Sequence, residues 1–130
     1  MTAYLAPAAV TLATVALLFS CAAYVALARG KYGVRAPATA GHPQFEIAYR
    51  IQMNTLENAV AFLPALWLCA WFLHAQLAGA LGAVWVAGRV WYAFAYAIDP
   101  KKRGPGFTIA LAAALALAIG AGFGMLRAVL

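Results

Sequence analysis

Glu46, Arg50, Asn54 and Glu57 recur at i, i+4, i+8 and i+11, a spacing that keeps them on one face of an α-helix. At about 1.5 Å per residue the stripe is roughly 16 Å tall. Ile47, Ile51 and Leu56 on the other faces are apolar, while Gln52 and Asn58 add two amides. Arg89, Tyr92 and Tyr96 follow at i, i+3 and i+7, a second one-faced set, and Arg103 comes seven residues later. Guanidinium forks bind carboxylates bidentately, and a carboxylate such as Glu57 accepts from an amine. A phenol or an arginine placed by a thiol holds it as thiolate, its reactive form. This set therefore suits a small polar ligand with two or more carboxylates, one ammonium group and a thiol.

The elements that must position these groups are apolar. Of 130 residues, 67% are hydrophobic and 9% are charged, with nine Lys+Arg against three Asp+Glu for a net charge of +6. A typical soluble domain carries roughly a quarter charged residues. So few charges cannot cover the surface of a soluble protein this small. An ordinary soluble enzyme, a disordered tail and a disulfide scaffold are excluded. A nucleic-acid partner is excluded too, because its binders gather positive charge on a polar face, whereas here the charges separate long apolar runs.

Roughly 20 apolar residues cross a bilayer, and four such stretches are present, at about 3–28, 45–73, 77–98 and 107–126. The first has no basic residue ahead of it and is longer than a signal-peptide core, so it reads as a span. Lipid admits only structures that satisfy every backbone group internally. The fold class is therefore all-α, an integral membrane four-helix bundle, with residues 1–130 forming a single transmembrane domain. Arg29, Lys31 and Arg35 follow helix 1, and Lys101, Lys102 and Arg103 follow helix 3, while the turn near His74 has no Lys or Arg. The excess of positive charge on cytoplasmic loops places loops 1 and 3 inside and both termini outside. Arg127 is the one dissenting cation. The segment Ala36–Pro43 holds two prolines and a glycine and reads as a loop. Pro64 is expected to bend helix 2.

Cys21 and Cys69 lie inside apolar helices at no metal-ligand spacing, which reads as small buried hydrophobes. His42 and His74 lie at or near loops and also lack metal-binding neighbours; no metal is expected. By depth, the polar faces of helices 2 and 3 share one leaflet. Read structurally, their charges would pair as Glu46–Arg50 and Glu57–Arg89 and lock the helices together. The excess of cation over anion favours a ligand instead, because an all-structural network should balance. Glutathione has the required two carboxylates, α-ammonium and thiol.

The segment RIQMNTLEN, from Arg50 to Asn58, resembles the R-x-x-x-N-x-x-E motif of the MAPEG family, the membrane-associated proteins of eicosanoid and glutathione metabolism. The Phe45-Glu46 lead-in, Gly88-Arg89 followed by Tyr92 and Tyr96, and Arg103-Gly-Pro105 are also similar to family features. The resemblance implies a homotrimer with glutathione bound between neighbouring subunits near the cytoplasmic face. The implied contacts fall on Arg50, Gln52, Asn54, Glu57, Arg89, Tyr92, Tyr96 and Arg103. Of these, Arg103, or alternatively Tyr92, would activate the thiol. There are departures. Gly30 and Lys31 follow Arg29 where the leukotriene-synthase branch has a second arginine, and Asn58 replaces that branch's tyrosine. Glu57-Asn58 is more similar to the microsomal transferase and prostaglandin E synthase branch, but Phe107 stands near that synthase's catalytic arginine.

The expected activity is that of a detoxifying glutathione transferase, with glutathione peroxidase activity as a companion. Glutathione is the co-substrate. The partner substrate is a lipophilic electrophile or lipid hydroperoxide drawn from membrane lipid, and the location expected is a bacterial inner membrane. Two other classes remain as alternatives: a non-catalytic lipid- or glutathione-binding member of the same family, which the Gly30 departure favours, and a small four-span exporter. The exporter would need a proton-coupled acid in helix 1, which is uncharged.

Overall fold

A computed structural model describes residues 2–130, and among them only helices, turns and loops occur. A short 3₁₀ turn (Thr2–Tyr4) leads into α1 (Leu5–Tyr32), followed by α2 (Pro43–Phe72), α3 (Ala75–Ile98), a 3₁₀ turn (Pro100–Lys102) and α4 (Gly104–Val129). All four helices are long and apolar enough to cross a membrane. Their outer faces agree: Leu12, Phe19, Trp71, Phe94 and Ile119 are exposed, a surface that water would oppose and lipid tails accept. The chain is an integral, multi-pass membrane protein.

Helix 1 is longer than its uncharged run. It passes Ala28 and takes Arg29 and Lys31 into its last turn, where cations oppose the negative end of the helix dipole. Gly33 stops it in the left-handed region, at φ 68°, and the N–H of Val34 returns to the carbonyl of Arg29 at 3.2 Å. Glycine carries no penalty in that conformation. The loop that follows is tied down. Arg29 donates to the carbonyl of Ala38 at 2.7 Å and lies 4.7 Å above the Phe45 ring, and Tyr32 stacks on His42 at 4.2 Å.

Both histidines turn out to be helix caps. The His42 Nδ1 accepts from the Gln44 N–H at 3.1 Å, with Pro43 opening α2, and the His74 Nδ1 accepts from the Leu77 N–H at 3.2 Å. Each satisfies one of the N–H groups that a helix start leaves unpaired. The α2–α3 connection is only Leu73 and His74. Helix α2 remains one element through Pro64.

The core lies where α2, α3 and α4 meet. Phe62 and Trp85 stack at 3.8 Å with their planes 4° apart, surrounded by buried Leu66, Ala110, Ala113 and Leu117. At the loop end α3 and α4 touch backbone to backbone. A Cβ on Gly106 would sit 2.5 Å from the Tyr92 nitrogen and 2.7 Å from the Gly88 carbonyl oxygen. Absence of a side chain at Gly88 and Gly106 is therefore what lets α4 approach, as small residues do in membrane helix pairs. Gly124 packs just as tightly against the end of α2, whereas nothing lies within 4 Å of a Cβ at Gly122. Cys21 and Cys69 are both buried and unpaired.

Candidate ligand site at the basic end of the bundle

The close α3–α4 contact holds Tyr92 against the start of α4, with its ring 6.2 Å from Phe107 and edge-on to Tyr96 at 5.6 Å. Beside these rings a cavity of about 420 Å³ opens between α2, α3 and α4. Arg50, Asn54, Tyr92, Tyr96 and Arg103 line it, together with Gly104 and Phe107. Five of the residues singled out by type and spacing thus converge. The cavity falls in the size range of small-molecule sites.

Each wall is positioned by a local cause. Arg103 sits at the entry to α4, where Asp99 caps the preceding 3₁₀ turn by accepting from the Lys101 N–H at 3.0 Å. Its guanidinium donates to the Pro100 carbonyl at 2.7 Å and lies 5.5 Å from the Tyr96 ring centre. Arg50 and Glu57 stand two turns apart on the exposed face of α2, and their side chains approach to 3.8 Å. Glu57 therefore borders the cavity through Arg50. Both side chains are more than half exposed, so the pair is free to open toward a ligand.

Arg89 takes a different place. It is 1% exposed, inside the bundle, and does not line the cavity. One of its terminal nitrogens donates to Asn54 Oδ1 and to Thr55 Oγ1, both at 2.8 Å, and the guanidinium lies 4.0 Å over the Tyr92 ring. Its remaining two nitrogens are buried without hydrogen-bond partners. The purely structural pairing weighed against a ligand site is not formed. Arg89 does not meet Glu57, and Glu46 does not meet Arg50; among the described residues the ion pair is Arg50–Glu57. The reason is rotational. Thr55 is on the core-facing side of α2 with Ile51 and Ala59, so a side chain arriving from α3 reaches that flank and not the outer one.

The Arg89 contact also fixes the Asn54 amide. With Oδ1 engaged by a guanidinium, the amide's N–H donors are the groups left for the cavity side. Asn58 adds a bond to the Asn54 backbone carbonyl at 2.8 Å. Gln52 is not brought in. It is half-buried and roughly 200° around the helix from Arg50, outside the cavity lining. Thr55 and Gly104 escaped the sequence reading because nothing in their residue types marks a site, and Phe107, noted only as standing near one branch's catalytic arginine, proves to line the cavity. Thr55 could have been noticed, since a hydroxyl on the buried side of a membrane helix needs a partner.

A model of the MAPEG family matches residues 7–123, nearly the whole chain. The chain belongs to the MAPEG family. Among its relatives is an uncharacterised protein of the cyanobacterium Synechocystis, 41% identical over 115 residues that cover 88% of this chain and 84% of the relative. Human microsomal glutathione S-transferase 2 is 37% identical over 78% of this chain and 73% of its own length. Bovine leukotriene C4 synthase is 36% identical over 74% of this chain and 64% of its own. The MAPEG match takes in α2 and α3 entirely and ends six residues before the close of α4, so every wall of the cavity lies within it.

Proposed function

We propose that this chain is a membrane-bound glutathione transferase, able also to reduce lipid hydroperoxides with the same thiolate. The observation that carries the reading is the 420 Å³ cavity in which two guanidiniums, an amide and two phenols face one space at the basic end of the bundle. Relatives named as microsomal glutathione S-transferases support glutathione as the ligand. A glutathione carboxylate would be held by Arg50, and its α-ammonium by Glu57. Asn54, oriented by Arg89, would donate to a carboxylate or peptide oxygen. The cation of Arg103, or the Tyr92 hydroxyl, would stabilise the sulfur as thiolate.

In the conjugation step the thiolate attacks an electrophilic carbon. The new C–S bond forms as the leaving group departs with its electron pair. With a hydroperoxide the thiolate attacks the terminal oxygen, the O–O bond breaks and the alkoxide takes a proton. A second glutathione thiol then attacks the sulfur of the sulfenic acid, the S–S bond forms as the S–O bond breaks, and the hydroxyl leaves with the thiol proton as water. Lipophilic substrates suit the setting because they are already dissolved in the surrounding bilayer.

Two features support assembly from several copies, a homotrimer being the family's arrangement. Gln52 and Arg50 point to opposite sides of α2, so a single ligand could meet both only if two copies supplied them. The exposure of the Arg50–Glu57 face inside a membrane also calls for cover. We place the single four-helix domain in a bacterial inner membrane with the basic loops cytoplasmic, on the strength of their Lys and Arg content. The alternative, a member that binds glutathione without turnover, draws on Gly30, an exposed position with nothing within 4 Å of its Cβ direction.

Purified protein in detergent or nanodiscs should bind glutathione in calorimetry and conjugate a chloro-nitrobenzene substrate. Binding without turnover would establish the non-catalytic alternative. Absence of both would end the glutathione reading.

A further inference from the structure

The connection between α3 and α4 has two sides. One carries Arg103 into the cavity described above. On the other, the lipid-facing surface holds a second groove, of about 520 Å³, whose floor is Trp91, Phe94 and Ile98 and whose loop-end rim is Lys101, Lys102 and Pro105. The floor residues are among the more exposed apolar side chains of the molecule, at 50%, 68% and 78%. They descend α3 at i, i+3 and i+7 and so form one apolar track running away from the lysines. The length of that track is roughly 10 Å, enough for the upper part of an acyl chain.

The rim is a paired cation. Lys101 and Lys102 are both exposed and sit in the 3₁₀ turn directly above the track. The neighbouring acid does not neutralise them, because the Asp99 carboxylate is turned onto its own turn and accepts from the Lys101 backbone N–H. Arg103 faces the other side, donating to the Pro100 carbonyl. An apolar groove in the hydrocarbon layer with two unpaired ammoniums at its interfacial end is complementary to one occupant class: a phospholipid with a net negative headgroup.

We propose that this groove is a binding site for an anionic phospholipid, its phosphate on Lys101 and Lys102 and its chain along Trp91, Phe94 and Ile98. The site does not depend on the glutathione reading. It does have a consequence for it, since the lipid would brace the same short turn that carries Arg103.

Trp91 reports on the groove directly. The remaining tryptophans are elsewhere: Trp85 is buried in the core, and Trp67 and Trp71 lie near the opposite end of α2, where they stack with Tyr4. Full-length protein in vesicles is titrated with brominated phosphatidylglycerol or brominated phosphatidylcholine, and the quenching that disappears in Trp91→Phe is taken as the Trp91 signal. Two juxtaposed lysines should give the anionic lipid a preference of roughly tenfold or more at low salt. Lys101→Gln/Lys102→Gln should abolish that preference. Lys31→Gln/Arg35→Gln, which removes the same charge from the other basic loop, should leave most of it. Equal quenching by the two lipids overturns the proposal. So does a preference lost equally in both double variants, which would reveal a general surface potential. Absence of Trp91 quenching by either lipid would overturn it as well, and would show that a second copy covers this face. Folding of each variant is checked by far-UV circular dichroism.

Discussion

Replacing Arg89 by methionine should separate ligand binding from stability. The guanidinium is 1% exposed, two of its nitrogens lack partners, and its nearest polar contacts are the neutral Asn54 and Thr55. Two charge-assisted hydrogen bonds contribute about 1.5–3 kcal/mol each, and a desolvated cation–π contact with Tyr92 about 2 kcal/mol. Against these stands the cost of burying a cation with no carboxylate beside it, several kcal/mol after relaxation. The two sides nearly cancel. Methionine fills much of the same volume, and Thr55 can turn its hydroxyl to the carbonyl one turn back. The melting temperature in detergent should therefore change little, by an amount equivalent to about 2 kcal/mol or less in either direction. The Asn54 amide, however, loses the contact that orients it. Glutathione affinity should fall roughly tenfold, the worth of one well-made hydrogen bond. A double-mutant cycle tests the route of the effect. In an Asn54→Ala background the methionine substitution should add no further loss of affinity. Unchanged affinity in Arg89→Met, or losses that simply add in the double variant, would refute the positioning role. A collapse of the melting temperature would refute the energetic balance.

Arg50→Ala and Glu57→Gln should each alter stability by less than about 1 kcal/mol, because exposed ion pairs contribute little, yet each should weaken glutathione binding at least tenfold; calorimetry and thermal melts on the same samples decide. Arg103→Ala should reduce turnover while retaining most of the glutathione affinity, and an unchanged rate in the conjugation assay would remove Arg103 from thiol activation. Gly106→Ala should destabilise by about 1–3 kcal/mol through overpacking, since the added methyl meets the backbone of Tyr92 and Gly88. Gly122→Ala, with open space at its Cβ, serves as its neutral counterpart in the same melt.

Much of the fold was legible from composition and periodicity. Four predominantly apolar runs gave four helices, with ends displaced by a few residues. The largest displacement is at Arg29 and Lys31, which looked like loop residues because they are charged. Long basic side chains at a helix end can reach the interface from within the helix, so charge marks the edge of the membrane and not the edge of the helix. The real stop was Gly33. His42 and His74 were recognised as lying at or near loops, and their acceptance of N–H groups at two helix starts needed the backbone geometry.

The site divides in the same way. Which residues share a face of α2 follows from about 100° of rotation per residue, a local property, so Arg50, Asn54 and Glu57 could be grouped from spacing alone, and Arg89, Tyr92 and Tyr96 likewise. How the face of one helix is turned toward another is not local. It depends on the Gly88–Gly106 contact and the Phe62–Trp85 stack, each between residues far apart in the chain. That rotation hands Arg89 to Asn54 and Thr55 and brings Tyr92, Tyr96 and Arg103 to the Arg50–Asn54 side of α2. Residue types and periodicity determined the helices and the chemistry available along each; the packing of one helix on another decided which of those groups meet.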